Sequence, residues 1–199
     1  MPKFVDSSMQ KERIAEAAWR VIQREGLEKA SVRNIANEAG ISPGVVQHNF
    51  KTQSQLLEFS MQRVVQRVSQ RIEESNLAMP DISLHSAEAL LLNLLPIDEE
   101  RELEAEVWLA LTLKALHEPV LQNIGTETYS AMQQMMKMLL TQLHEVGNLK
   151  QGLDLEQEAI KLQLLLDGLT LHLMINPDVM TKQKMRTILH QHMMSLSNS

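Results

Sequence analysis

With 199 residues and no cysteine, the chain can bury a sizeable core but has neither a disulfide framework nor a thiolate metal site. Its net charge of −6 argues against a protein that coats DNA generally, and no apolar stretch approaches the ~20 residues that span a bilayer. The charge is unevenly placed: residues 1–71 hold 11 Lys and Arg against 7 Asp and Glu, whereas residues 72–199 hold 8 against 18. A head of +4 on a body of −10 suits contact with phosphates by one end only. The opening Met-Pro-Lys-Phe-Val-Asp lacks the apolar run of a signal peptide, so a cytoplasmic location is expected.

In chain order, residues 8–25 read as a first helix with Ile14, Ala17, Ala18, Val21 and Ile22 on one stripe and Gly26 at its end. Lys11, Arg13, Arg20 and Arg24 decorate its solvated side. Residues 31–50 then read as a helix-turn-helix. Ser31 can cap the first helix, which carries Val32, Ile35, Ala36 and Ala39 at helical spacing. Gly40 supplies the positive φ of a sharp exit, and Ser42-Pro43 restarts a helix at once. On that second helix Val46 and Phe50 share a buried face, while Gly44, Gln47, His48 and Lys51 make an opposite face with no large apolar group. A helix of this kind fits a major groove with polar side chains at base edges.

Thr52 with Gln55 fits a capping box, opening a helix to about residue 74 along which Leu57, Met61, Val64, Val68 and Ile72 run at spacings of three and four. Arg63, Arg67 and Arg71 repeat on another face, where solvation is expected. The stretch 76–82 marks a break. Five more helices are predicted: about 84–95, 98–117, 119–146, 155–175 and, from Asn176-Pro177, a last one to about 196. Asp98, Glu99, Glu100 and Glu102 suit the positive end of a helix dipole. No strand-like alternation and no internal repeat stands out. The fold class is therefore all-α, about nine helices, divided as a head at 8–52, a connector helix at 53–76 and a body at 77–199.

The head closely resembles the TetR family of transcriptional regulators. The resemblance rests on Arg13-Ile14, Ala17-Ala18, Gly26, Ser31, Ile35-Ala36, Ala39-Gly40-Ile41-Ser42, Gly44, Phe50 and Leu56-Leu57. In the body, 104–122 with Tyr129, and in the head His48, look like the BetI-like branch. The resemblance implies a three-helix DNA-binding head and an all-α ligand-binding and dimerisation body. Two departures stand out: Gln47 and Asn49 replace aromatic or His positions of the family, and Gln53 replaces a Lys that meets a phosphate.

The expected DNA contacts are Ser31, Arg33, Ser42, Pro43, Gly44, Gln47, His48, Lys51 and Gln53, with Gln47 and His48 at base edges on double-stranded operator DNA. A homodimer interface is expected from Ile160, Leu164, Leu165, Gly168 and Leu171 on one helix and Met185, Leu189 and Met193 on the next. A small apolar or amphipathic effector is expected near Trp108, Leu111, Tyr129, Met132 and Met136, since methionine adapts to varied apolar ligands. No cofactor, metal or catalytic residue is expected: Gly-x-Ser-x-Gly, a Gly-rich phosphate loop and His-Glu-x-x-His are all missing, and His190 and His192 do not share a helix face. The alternative is an all-α interaction module without DNA specificity.

Overall fold

The computed structural model describes residues 3–75 and 82–198, with side chains from residue 8 onward. The break expected at 76–82 lies, apart from Ile82, outside the described residues. Among those described the chain is helical: α1 (Lys3–Glu25), α2 (Val32–Ala39), α3 (Pro43–Asn49), α4 (Gln53–Glu74), α5 (Leu84–Leu92), α6 (Glu99–Ala115), α7 (Pro119–Glu145), α8 (Leu155–Ile175) and α9 (Lys182–Leu196). A 3-10 turn at Leu27–Lys29 joins α1 to α2. The one extended pairing among them is an isolated bridge between Leu149 and Ser197. No helix among them is long and apolar enough to cross a membrane.

Helix ends follow local chemistry. Ser31 accepts from the Asn34 amide at 3.2 Å, Asp98 from Arg101 at 2.9 Å and Asp154 from Gln157 at 3.1 Å, so each satisfies an orphaned donor of a first turn. At the other end of α2, Gly40 sits at φ 67°, in left-handed backbone. The last helix starts later than expected. Val179 and Met180 both donate to the Asn176 carbonyl at 3.0 and 2.9 Å, closing a single turn. Met180 packs against the core, the backbone turns extended at Thr181, and Thr181 caps α9 by accepting from Lys184. A proline pre-sets φ for helix entry but does not compel the helix to continue.

Contacts group the chain into two compact units, Met1–Arg67 with Leu103–Gly125 and Val68–Glu102 with Thr126–Ser199. These lines differ from the expected boundaries at 52 and 76. In the first unit, the Ile14, Ala18 and Ile22 stripe of α1 meets Ile35, Val46 and Phe50, and Leu57 and Met61 of α4 join the same core. Val107 and Leu111 of α6 belong to it too, so burial carries this unit past the helix-turn-helix. The second unit is built on Leu91, Met136, Leu140, Leu162, Leu166 and Leu189. Here the loop after α7 is stitched to the chain end: Lys150 donates to the Leu196 carbonyl and the Asn198 amide to the carbonyls of Gly147 and Leu149.

Candidate nucleic-acid interface

Helix α3 has seven residues, too few to be stable alone, so its orientation comes from what grips it. Val46 is fully buried and Phe50, extended at the helix end, packs at 5.4 Å from the Phe59 ring. That leaves Gly44, Gln47 and His48 exposed on one side, with Ser42, Pro43 and Lys51 exposed at the two ends. Ser31 and Arg33 are exposed at the start of α2. All nine expected DNA contacts thus stand at the surface of the first unit, seven of them on α2, α3 and their caps.

Two of them have local roles that differ from expectation. Ser42 stands at the cap position of α3, yet its side chain makes no capping hydrogen bond. Its hydroxyl faces outward, 3.8 Å from where a Cβ on Gly44 would be. Gln53 donates from Nε2 to the Ala30 carbonyl at 2.9 Å, bracing the entrance of α2 against the start of α4. Beside it, Thr52 accepts from the Gln55 amide at 3.1 Å. The Gln55 side chain in turn accepts from Lys51 N–H at 2.8 Å rather than from the cap residue itself. The corner that carries Lys51 is therefore held by the Gln55 side chain of α4, whose own amide is fixed by Thr52.

The cations of the first unit are mostly committed to holding it together. Arg20 and Arg24 of α1 both bond Glu38 of α2, at 2.8 and 2.9 Å. Hydrogen bonds from Arg20 and then Arg24 hold the Glu38 carboxyl below its ordinary range. A depressed carboxyl value stabilises the fold above the unfolded-state value, and that contribution is lost as pH falls through the folded-state value. Glu38→Gln is expected to lower the melting temperature slightly at neutral pH, the gap from the parent closing below the ordinary carboxylate range of ~4. Melts followed by circular dichroism across that range check it.

The arginines of α4 are not simply solvated. Arg63 reaches Glu12 at 3.7 Å, and Arg67 bonds Glu16 while its guanidinium lies 4.8 Å over the Trp19 ring. Trp19 donates from its indole to the Ser60 carbonyl at 3.3 Å. Arg71 donates to the Asn93 carbonyl at 3.2 Å. Each of these guanidiniums is thus engaged with a partner in its own chain.

In the second unit the expected interface residues divide sharply. Met185, Leu189 and Met193 are buried in the core of their own chain, so none of the three can meet a second copy; this corrects the sequence reading. On α8, Ile160, Leu164 and Leu171 are exposed, Leu165 is half-buried, and a Cβ on Gly168 would meet nothing within 4 Å. Ile175, not singled out from sequence, is exposed on the same stripe four residues beyond Leu171. His190 bonds Glu88 of α5 at 2.9 Å, whereas half-buried His192 is pushed below its ordinary value by burial.

The expected effector residues fall in both units. Leu111 is buried and Trp108 half-buried in the first; in the second Met136 is buried, Met132 half-buried and Tyr129 exposed. Sequence reasoning marked Asn49 only as a departure from the family pattern and missed its hydrogen bond to Gln10 of α1. Nothing in local spacing connects positions 39 residues apart.

Comparison with known proteins agrees with this geometry. Residues 14–58 match the family described as bacterial regulatory proteins, tetR family, and residues 84–197 match the C-terminal part of BetI-type transcriptional repressors. The chain is 38% identical over 197 residues to the HTH-type transcriptional regulator PksA of Bacillus subtilis, covering 98% of this chain and 94% of that one. It is 27% identical to the regulator BetI of Vibrio campbellii, covering 97% and 94%. A transcriptional regulator from Rhodococcus superposes with a TM-score of 0.81 at 29% identity, over 94% of this chain and 95% of that one. A regulator from Saccharomonospora viridis, solved in complex with choline, shares the fold with a TM-score of 0.85 at 22% identity, over 96% and 100%. These relatives are named as transcriptional regulators and not as enzymes. The chain belongs to the TetR family of bacterial transcriptional regulators: it is a DNA-binding helix-turn-helix protein with a BetI-type C-terminal part.

Proposed function

We propose that the protein is a ligand-responsive homodimeric repressor working in the cytoplasm, each protomer laying α3 into a major groove of a near-palindromic operator. The observation that carries this is the exposed polar face of α3, held rigid from behind by Val46 and Phe50. Gln47 and His48 read base edges, Gln by paired bonds to adenine. Ser31, Arg33, Ser42 and Lys51 set the frame on the phosphates, with Pro43 and Gly44 bringing the start of α3 close to the duplex. Gln53 gives one amide hydrogen to Ala30 and keeps the second for a phosphate oxygen. His48→Ala is expected to weaken operator binding by ~1–3 kcal/mol without changing the melting temperature.

The dimer is formed by the α8 stripe of Ile160, Leu164, Gly168, Leu171 and Ile175, with Leu165 at its edge. Its length and exposure support that role. The effector is apolar or amphipathic. Residues 84–197 contain two aromatic side chains, Trp108 and Tyr129. A quaternary ammonium such as the choline of the Saccharomonospora viridis structure is held best by several ring faces. The methionines of α7, Met132 and Met136 among them, suit an apolar guest instead. Met136 is buried in the second unit and would meet such a guest only by shifting, so a ligand acts by favouring a state with that shift.

The deciding experiment selects bound duplexes from fragmented source DNA. The expected result is one enriched motif with two half-sites about one or more helical turns apart. Recovery of random sequence at moderate salt overturns the proposal and favours a helical module without DNA specificity.

A further inference from the structure

The geometry points to Gln10, on α1, as the positioning residue that sets the rotation of the recognition helix through Asn49. This rests on the reading of α3 as the base-reading helix and extends it to a residue that does not touch DNA.

Asn49 is the last residue of α3 and is half-buried. Its Nδ2 donates twice, to the Val45 carbonyl at 2.9 Å and to Gln10 Oε1 at 3.2 Å. The backbone carbonyl decides which way the amide faces: turned over, Oδ1 would oppose the Val45 oxygen, acceptor against acceptor. With its first hydrogen on Val45, the amide has one direction left for the second, and Gln10 stands there. The next residue of α1 repeats the grip, with the Lys11 ammonium 5.9 Å from the centre of the Phe50 ring.

This pair matters more than an ordinary half-buried hydrogen bond because α3 is so short. Val46 and Phe50 fix which side of the helix faces inward, but two apolar contacts allow a rocking rotation about the line that joins them. Asn49 lies off that line, one residue from Phe50, so a bond from it to α1 resists the rotation. Gln47 and His48 sit on the same turn and inherit its direction. Bidentate base contacts tolerate little angular error, whereas phosphate contacts from long side chains tolerate more. Loss of the bond should therefore reduce discrimination more than total affinity.

The test measures, at one fixed salt concentration, the ratio of affinities for the operator and for a random duplex, with the melting temperature of each variant. Gln10→Leu removes the acceptor and is expected to lower the ratio by roughly fivefold to tenfold, mostly through the operator. Gln10→Glu keeps an acceptor while adding negative charge: both affinities fall but the ratio stays within about twofold of wild type. Gln10→Lys has no acceptor and adds positive charge: random-duplex affinity rises and the ratio falls. In an Asn49→Ala background, Gln10→Leu should change nothing further, because the pair acts as one unit.

A ratio unchanged in Gln10→Leu overturns the positioning role, and so do ratios of Gln10→Glu and Gln10→Lys that follow their charges. A full Gln10→Leu effect in the Asn49→Ala background overturns the route through Asn49. If wild type itself prefers no duplex, the reading of α3 fails first, and that result is visible before any variant is made.

Discussion

Leu189→Ala is expected to destabilise the folded chain by about 3 kcal/mol, and Leu164→Ala by less than about 0.5 kcal/mol when both are measured as monomers. Leu189 is 0% exposed in the core of the second unit, so its truncation leaves a cavity that neighbours such as Met185 and Leu162 fill only in part. Leu164 is 59% exposed, and removing it takes little surface from water that the monomer had buried. For a chain of this size the larger loss corresponds to a drop in melting temperature of roughly 6–12 °C. Urea unfolding over a range of protein concentrations separates the two cases: any Leu164→Ala effect should depend on concentration, because it acts on association. Equal, concentration-independent losses would place Leu164 in the core and contradict the assignment.

That contrast shows where sequence reading stops. The apolar spacing of α8 and α9 looks alike on paper, because a period of three and four says that a face is covered, not by what. The structure covers the Met185, Leu189 and Met193 stripe of α9 with its own chain and leaves the Ile160, Leu164 and Leu171 stripe of α8 exposed. Features set by near neighbours were legible: the Ser31 cap and the left-handed Gly40 each depend on residues within three or four positions. Features set by distant partners were not. Arg63 and Arg67 look solvated along α4 because Glu12 and Glu16 lie about fifty residues earlier. The bond from Gln53 to the Ala30 carbonyl joins positions 23 residues apart, and no local spacing announces it. The solvent-exposed side of α3 was readable for the opposite reason. A solvent face is defined by what is missing from it, and Gly44, Gln47, His48 and Lys51 carry no large apolar group whatever the rest of the chain does.

The second large effect is expected from the middle of the α8 stripe. Ile160, Leu164, Gly168, Leu171 and Ile175 follow one another at intervals of four, four, three and four, which keeps them on one side of the helix over roughly 22 Å. Four large apolar side chains in a row are costly to leave in water, and the gap at Gly168 lets a second helix approach its backbone closely. In a two-fold contact the patch meets itself, so a change at its centre is counted twice. Gly168→Leu fills open space in the monomer and replaces a poor helix former with a good one, so monomer stability should rise by up to about 1 kcal/mol. The same substitution pushes the paired helices apart. Sedimentation should then show monomers at micromolar concentration, and operator affinity should fall by a factor on the order of 10² or more, since two half-sites can no longer be held by one linked pair of heads. Leu171→Glu should do the same by setting like charges across the axis. A Gly168→Leu protein that is still dimeric, or a monomeric one that binds the operator as tightly as wild type, would show that α8 is not where the two copies meet.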